Sequence, residues 1–424
     1  MNRRDFLAAS ASLLASRALA RPPAGDMGAP ARDPYRHTNT KAVLPAWDGS
    51  TSSDSTASQY RMFRGNRAHA HSGSGTLGTN LKLLWKFKMA DFYTQTSYGK
   101  KYHWQGMGWT GQTLKAGKYV YAGSTGGHMH CLEADTGKLV WYFTAGRSFK
   151  GSPCFYKNRV ICPNVDNHLR CLDGETGRVV WSWVSPNDID SSPLVHENKV
   201  YVGGEDGAVK CLDSETGKLV WRQGFGVGQG EKLGSGGIES SLAIMDDIAY
   251  FGHLDGKVRA ISTRDGKLQW ATKIGGDTDS SPLLWKDRLY IGCEDSVKTF
   301  HCLDRGTGKL VWDLKISGGV WGSAGLYDDK LYIGGQNGVM YCLDPKTGRS
   351  LWEFKVGRPI WASPNIVDGK VCFGSYDRHY RMLDAKTGKL LWQHDLGERS
   401  HSGAAIVEGK IWVGNAGGYL FCFG

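Results

Sequence analysis

Three carboxylates in this sequence each stand directly before a pair of serines: Asp190 before Ser191-Ser192, Glu239 before Ser240-Ser241 and Asp279 before Ser280-Ser281. Brought together, they would offer oxygen ligands to a hard cation such as calcium. Crowded like charges would also raise at least one pKa, which suits general acid–base work. Trp109, Lys150, Trp321, Trp361 and His401 occur at the corresponding offset in other stretches of the chain. Indole faces can stack a planar ring or a sugar, and an imidazole can serve as a base. Asp190, Glu239, Asp279 and His401 are therefore the candidate catalytic residues. Trp109, Lys150, Trp321 and Trp361 are candidates for ligand or cofactor binding, and the three carboxylates become metal ligands if calcium is bound. A wet channel mouth would also tolerate such residues without any chemistry, and Asp beside Ser-Ser-Pro can simply cap a turn.

The elements that must position these residues are repeated. CLDSETGKLVW at 211–221 recurs as CLEADTGKLVW (131–141), CLDGETGRVVW (171–181), CLDRGTGKLVW (302–312), CLDPKTGRSLW (342–352) and MLDAKTGKLLW (382–392), with a degraded copy at 260–270. A period near 40 residues with four strand-like runs per unit is the signature of a β-propeller blade. One unit reads SSPLVH, KVYVGG, AVKCLD and KLVWRQ, broken by Gly-containing turns that accept positive φ. The last unit has three strands and no fourth. The strand around Trp85 has no three strands before it. Joining them closes a ring of eight blades and removes two exposed sheet edges. The fold class predicted is all-β, an eight-bladed propeller of four-stranded antiparallel blades over residues 59–424.

Aligning the eight first strands on the second strands gives a ring of unlike residues at the channel mouth: Trp109, Lys150, Asp190, Glu239, Asp279, Trp321, Trp361 and His401. An acidic arc thus faces an aromatic arc. Two positions on stand Gly111, Ser152, Ser192, Ser241, Ser281, Ser323, Ser363 and Gly403. This uniform small set is expected where eight inner strands converge and larger side chains would clash. The long connections 88–108 and 222–238 are expected to emerge on the same face.

Residues 1–20, with Arg3-Arg4, a short apolar run and Ala18-Leu19-Ala20, read as a twin-arginine export signal. The run is too short to span a bilayer. No Cys precedes Cys131, which argues against a lipid anchor. Residues 21–58 are expected to form a flexible arm, and His69 and His71 a surface lead-in. A soluble, monomeric, periplasmic or secreted protein follows. The formal charge of +11 comes without an Arg-rich helix or an aromatic–basic RNA signature, so nucleic acid is not an expected partner. Six of the ten cysteines share one repeat position and read as small core residues, while Cys154 and Cys162 could meet across a hairpin. There is no CxxCH, CxxC, adjacent Cys pair, Gly-x-Ser-x-Gly or HExxH. GFGVGQG at 224–230 opens no helix and is not a dinucleotide loop.

Asp-x-x-Thr-Gly-x-x-x-Trp, complete at Asp173–Trp181, Asp213–Trp221, Asp304–Trp312, Asp344–Trp352 and Asp384–Trp392, resembles the tryptophan-docking motif of the PQQ-like (quinoprotein-type) propeller repeat family. YRMFRGNRAHAHSG (60–73) resembles the opening of its bacterial members. The resemblance implies that each indole stacks on the neighbouring blade while Asp and Thr tie down the turn. In size and blade count the chain is similar to the propeller subunit of the outer-membrane barrel assembly machinery. That implies an exported scaffold for an envelope protein or for a small-molecule or glycan ligand. The family equally implies a PQQ- and calcium-dependent alcohol or sugar dehydrogenase, with Asp279 as base and a Trp on the quinone. This chain lacks the adjacent cysteines and blade insertions of such enzymes. A carbohydrate-active lyase or hydrolase using the mouth ring is the third reading.

Overall fold

In the computed structural model, residues 52–89, 111–226, 237–294 and 296–424 are described throughout. The backbone is also described for strands His37–Thr38, Tyr93–Ser97 and Lys100–Trp104. The signal segment, most of the arm, Trp109 and most of both long connections lie outside the described residues.

Seven antiparallel blades of four consecutive strands follow one another in sequence, and His37–Thr38 adds a fifth strand to the outer edge of the first. Blade 1 runs from Leu114–Ala116 to Leu139–Thr144, blade 2 from Cys154–Tyr156 to Val179–Val184, and blade 3 from Leu194–His196 to Leu219–Gly224. Blade 4 runs from Ala243–Met245 to Leu268–Lys273, blade 5 from Leu283–Trp285 to Leu310–Leu314, blade 6 from Gly325–Tyr327 to Ser350–Lys355, and blade 7 from Asn365–Val367 to Leu390–Asp395. Blade 8 takes its three inner strands from Ala405–Val407, Lys410–Gly414 and Tyr419–Phe423 and its outer strand from Leu83–Lys88. Leu83 pairs with Phe423, Trp85 with Cys422 and Lys86 with Phe421, so the ring closes as the sequence predicts.

The repeated tryptophan ties each blade to the next. The Trp141 indole donates to the Gly174 carbonyl (2.9 Å), Trp181 to Ser214 (3.0 Å), Trp312 to Pro345 (3.0 Å) and Trp85 to Ala134 (2.9 Å). The ring covers the turn glycine beyond. At Gly348, whose φ is +71, a Cβ would lie 2.6 Å from the Trp312 indole. That glycine is needed both for its left-handed backbone and for the room it leaves. The Asp173 carboxylate accepts from the Thr176 amide and hydroxyl at 2.8 and 2.7 Å, holding the turn in shape.

The cysteines are all buried and free. Cys154 pairs across the ladder with Ile161 rather than Cys162. Successive residues face opposite sides of a sheet, so Cys154 joins the core on one side of blade 2 and Cys162 the core on the other. A hairpin disulfide is excluded.

Residues 52–78 are neither a flexible arm nor a surface lead-in. They cross the axis and touch every blade. The Phe155 amide donates to Arg61 O (2.7 Å), Ile244 to Arg67 O (2.7 Å), Leu284 to Ala68 O (2.9 Å), and Tyr60 exchanges two 2.8 Å bonds with Lys115. Ser53 donates to Val195 O (3.2 Å) and Ser74 to Ile406 O (3.1 Å). Arg64, with no exposed surface, sends its guanidinium to Pro364 O (2.6 Å) and Ala324 O (2.8 Å). His69 is buried, with Nδ1 2.8 Å from Pro282 O and its ring edge-on to Phe63. Burial holds its pKa down at about 3, so it stays neutral. The segment floors the axial channel and turns it into a cup.

Candidate functional site at the cup mouth

Six of the mouth residues sit two positions before a serine, and those serines do more than fit. The Ser152 amide donates to the Ser192 hydroxyl (2.9 Å), Ser192 to Ser241 (3.0 Å), Ser241 to Ser281 (2.9 Å), Ser281 to Ser323 (3.1 Å) and Ser323 to Ser363 (2.9 Å). A collar of hydroxyls therefore satisfies inner-strand amides that have no ladder partner. The expectation of a purely steric role is corrected: the position needs an acceptor.

Blade 1 departs from the predicted alignment. Val120 pairs with Leu132 as Val160 pairs with Leu172. Counting ten back from Val120 gives Thr110 rather than Trp109, and Gln112 rather than Gly111 takes the serine place. The Gln112 amide donates to the Ser152 hydroxyl at 2.7 Å, and its Nε2 reaches Ala404 O at 3.0 Å. Gly403 is glycine because a Cβ there would lie 2.3 Å from Gln112 Cγ.

A second ring was not read from the sequence. The turn between the second and third strands folds back on the mouth. Glu205 N donates to Asp188 O (3.0 Å), Glu294 to Asp277 O (2.8 Å), Gln336 to Gly319 O (3.1 Å) and Tyr376 to Pro359 O (3.0 Å). These four residues hold one repeat position and are as unlike one another as the first ring. Such a heterogeneous column in the repeat alignment was the available signal.

On the acidic side, Asp190, Glu205 and Glu239 converge, with one oxygen from each inside 4.8 Å of the others. Asp279 does not join them; its register neighbour is Glu294. The Lys150 ammonium lies 2.6 Å from Asp190 Oδ2. Burial pulls the lysine's pKa down, but Asp190, Glu239 and Glu205 outweigh it, so the lysine stays charged. Glu205 is pushed well above the usual carboxyl range by burial and by Glu239 and Asp190. Asp188 is raised to about 6 by burial and by Asp190, against the opposing pull of Arg147.

On the aromatic side the rings pack on one another. Trp321 and Trp361 have centroids 3.9 Å apart, and Tyr376 lies 4.4 Å from Trp361. Trp361 Nε1 donates to Gln336 Oε1 at 2.6 Å. His401 lies 6.0 Å from Tyr376, and burial holds its pKa at about 3. A ring held neutral in this way is a poor base near pH 7.

The donor chemistry of Asp190, Glu205 and Glu239 fits a hard cation, in competition with Lys150. The aromatic side does not fit a quinone between Trp321, Trp361 and Tyr376, because Trp321 and Tyr376 already pack against Trp361 with centroids 3.9 and 4.4 Å away.

Eight closed blades around a floored cup define a β-propeller of the PQQ-like repeat class. The chain belongs to the family described as outer membrane protein assembly factor BamB, whose model matches residues 80–188, 167–292 and 296–423. No curated protein matches the sequence. Among solved structures, BamB from Moraxella catarrhalis superposes with a TM-score of 0.66 at 16% identity, over 81% of this chain and 99% of that one. A europium-containing methanol dehydrogenase gives 0.72 at 17%, over 87% and 98%. Quinohemoprotein alcohol dehydrogenase from Comamonas testosteroni gives 0.71 at 13%, over 86% and 80%. At these identities the likeness is one of fold.

Proposed function

We propose that this protein is an exported scaffold of the cell envelope that holds a partner at the cup mouth, and is not a quinone-dependent dehydrogenase. The observation that carries the reading is the mutual packing of Trp321, Trp361 and Tyr376, whose ring centroids 3.9 and 4.4 Å apart leave no gap for a planar cofactor between them. Beside it, Lys150 supplies the positive charge that the carboxylates would otherwise take from a metal. What is left for a partner is an acidic rim beside an aromatic one. That suits a cationic side chain or an amine-bearing glycan. Export rests on the twin arginines at Arg3-Arg4.

The test uses the full chain. Incubated with PQQ and calcium chloride and then dialysed, it should retain no quinone absorbance and reduce no artificial electron acceptor. Stoichiometric retention with dye reduction would overturn the reading. A second reading, calcium binding without quinone, is favoured by the three converging oxygens. It requires calcium to raise Tm, and Glu239→Gln to abolish the rise. Of the glycan-cleaving chemistry weighed from the sequence, Glu205 is the better proton donor and His401 a poor base.

A further inference from the structure

The outer strands of the blades form the rim of the ring, and their free edges are what a soluble propeller must protect. Six carry a charge that discourages edge pairing: Lys86, Arg222, Lys273, Asp313, Glu353 and Asp395. Two carry none. One is LVWYFT of blade 1, Leu139–Thr144. The other is VVWSWV of blade 2, Val179–Val184. Blade 1 is covered by the chain itself, because strand His37–Thr38 pairs antiparallel with it, His37 opposite Tyr142 and Thr38 opposite Trp141. In the covered strand Val140 is 2% exposed, while its counterpart Val180 in blade 2 is 41% exposed and Val184 is 61% exposed. Among the described residues no strand pairs with the free edge of blade 2.

We propose that this edge pairs with the same edge of a second copy of the chain. The strand is self-complementary. Val180, Ser182 and Val184 share its exposed face. An antiparallel two-fold centred on Ser182 sets Val180 against Val184 of the partner subunit, and Ser182 against Ser182 of the partner subunit. Cross-strand pairs of β-branched residues are favourable, and no like charges meet. Because, among the described residues, only one edge is both uncharged and uncovered, the contact is isologous and closes at two copies instead of growing into a fibre. Six paired residues bury less than the roughly 1,200 Å² of stable complexes, so the dimer is weak and concentration-dependent. It takes the place of the monomer expected from the sequence.

Sedimentation velocity on the full chain should show a monomer–dimer equilibrium whose midpoint falls in the micromolar range or above. Val180→Lys and Val184→Lys together should weaken it by about tenfold or more without lowering Tm. All ten native cysteines are buried, so Ser182→Cys adds one exposed thiol at the two-fold. Mild oxidation should convert it to a disulfide-linked dimer, while Gln393→Cys, at the matching position of the charged blade 7 edge, should stay monomeric. A wild-type chain monomeric at every concentration tested, or equal cross-linking at both positions, would overturn the proposal. A different protein on this edge would appear as the first of these results.

Discussion

Asp188 has its carboxyl raised to about 6, by burial and then by Asp190. Its unfolded value is that of an ordinary Asp, near 3.9. The folded state therefore binds the proton more tightly, and stability falls as pH rises between roughly 4 and 6. Asp188→Asn should raise Tm by about 2–4 °C at pH 7.5 and leave it unchanged at pH 4. An equal rise at both pH values would mean that the gain is not electrostatic. The serine collar gives a second test. Ser192→Ala removes the acceptor of the Ser152 amide and should cost about 1–3 kcal/mol by chemical denaturation, the desolvation cost of an orphaned buried donor. At this scale the sequence was only partly legible. Asp190, Glu239, Lys150, Trp321, Trp361 and His401 all reach one mouth, because a fixed offset in a repeat becomes a fixed height in a ring. Glu205, Gln336 and Tyr376 were missed because they arrive from a turn that folds back on that mouth. Asp279 was grouped with Asp190 and Glu239, whereas the third converging carboxylate is Glu205.

The blade is the element, and its contacts pass mainly to the next blade. Trp141 is fully buried, whereas Trp312 keeps partial exposure on an uncovered rim. Trp141→Ala should therefore cost about 3–5 kcal/mol and Trp312→Ala less, about 2–3 kcal/mol. Equal losses in urea melts would separate the difference from burial. Gly348→Ala should be destabilising although it adds a single methyl group, because the position combines a φ of +71 with an indole 2.6 Å away. Blade count, strand order and closure were readable because Trp, Gly and the Asp–Thr turn recur at a near-constant interval, and each recurrence is a local steric requirement. The one-residue slip in blade 1 was not readable. Gln112 stands there in place of the serine, and its longer side chain reaches blade 8, which only the ladder register reveals.

At the scale of the whole molecule, residues 52–78 act as a hub. Arg64 spans blades 6 and 7 with its guanidinium and receives the Gln112 side chain at its amide, at 2.8 Å. Arg64→Ala leaves two buried carbonyl oxygens, Pro364 O and Ala324 O, without their donor while keeping the backbone bond to Gln112, and should cost about 3–5 kcal/mol. Arg64→Lys should recover only part of that, because one ammonium cannot reproduce the fork. A Tm unmoved by Arg64→Ala would mean that the floor is ornamental. The hub was illegible in the sequence because its residues are polar, glycine-rich and outside the repeat. Nothing in a stretch such as YRMFRGNRAHAHSG marks burial until eight strands surround it. Closure carries a last consequence, for the order of events in synthesis. Strand Leu83–Lys88 emerges among the first, yet its only ladder partner is Tyr419–Phe423, made more than 300 residues later. The nascent chain must carry an unmatched strand and an unseated hub through almost the whole of translation. Full protection of the Leu83–Lys88 amides from hydrogen exchange should therefore appear only after the final blade is released.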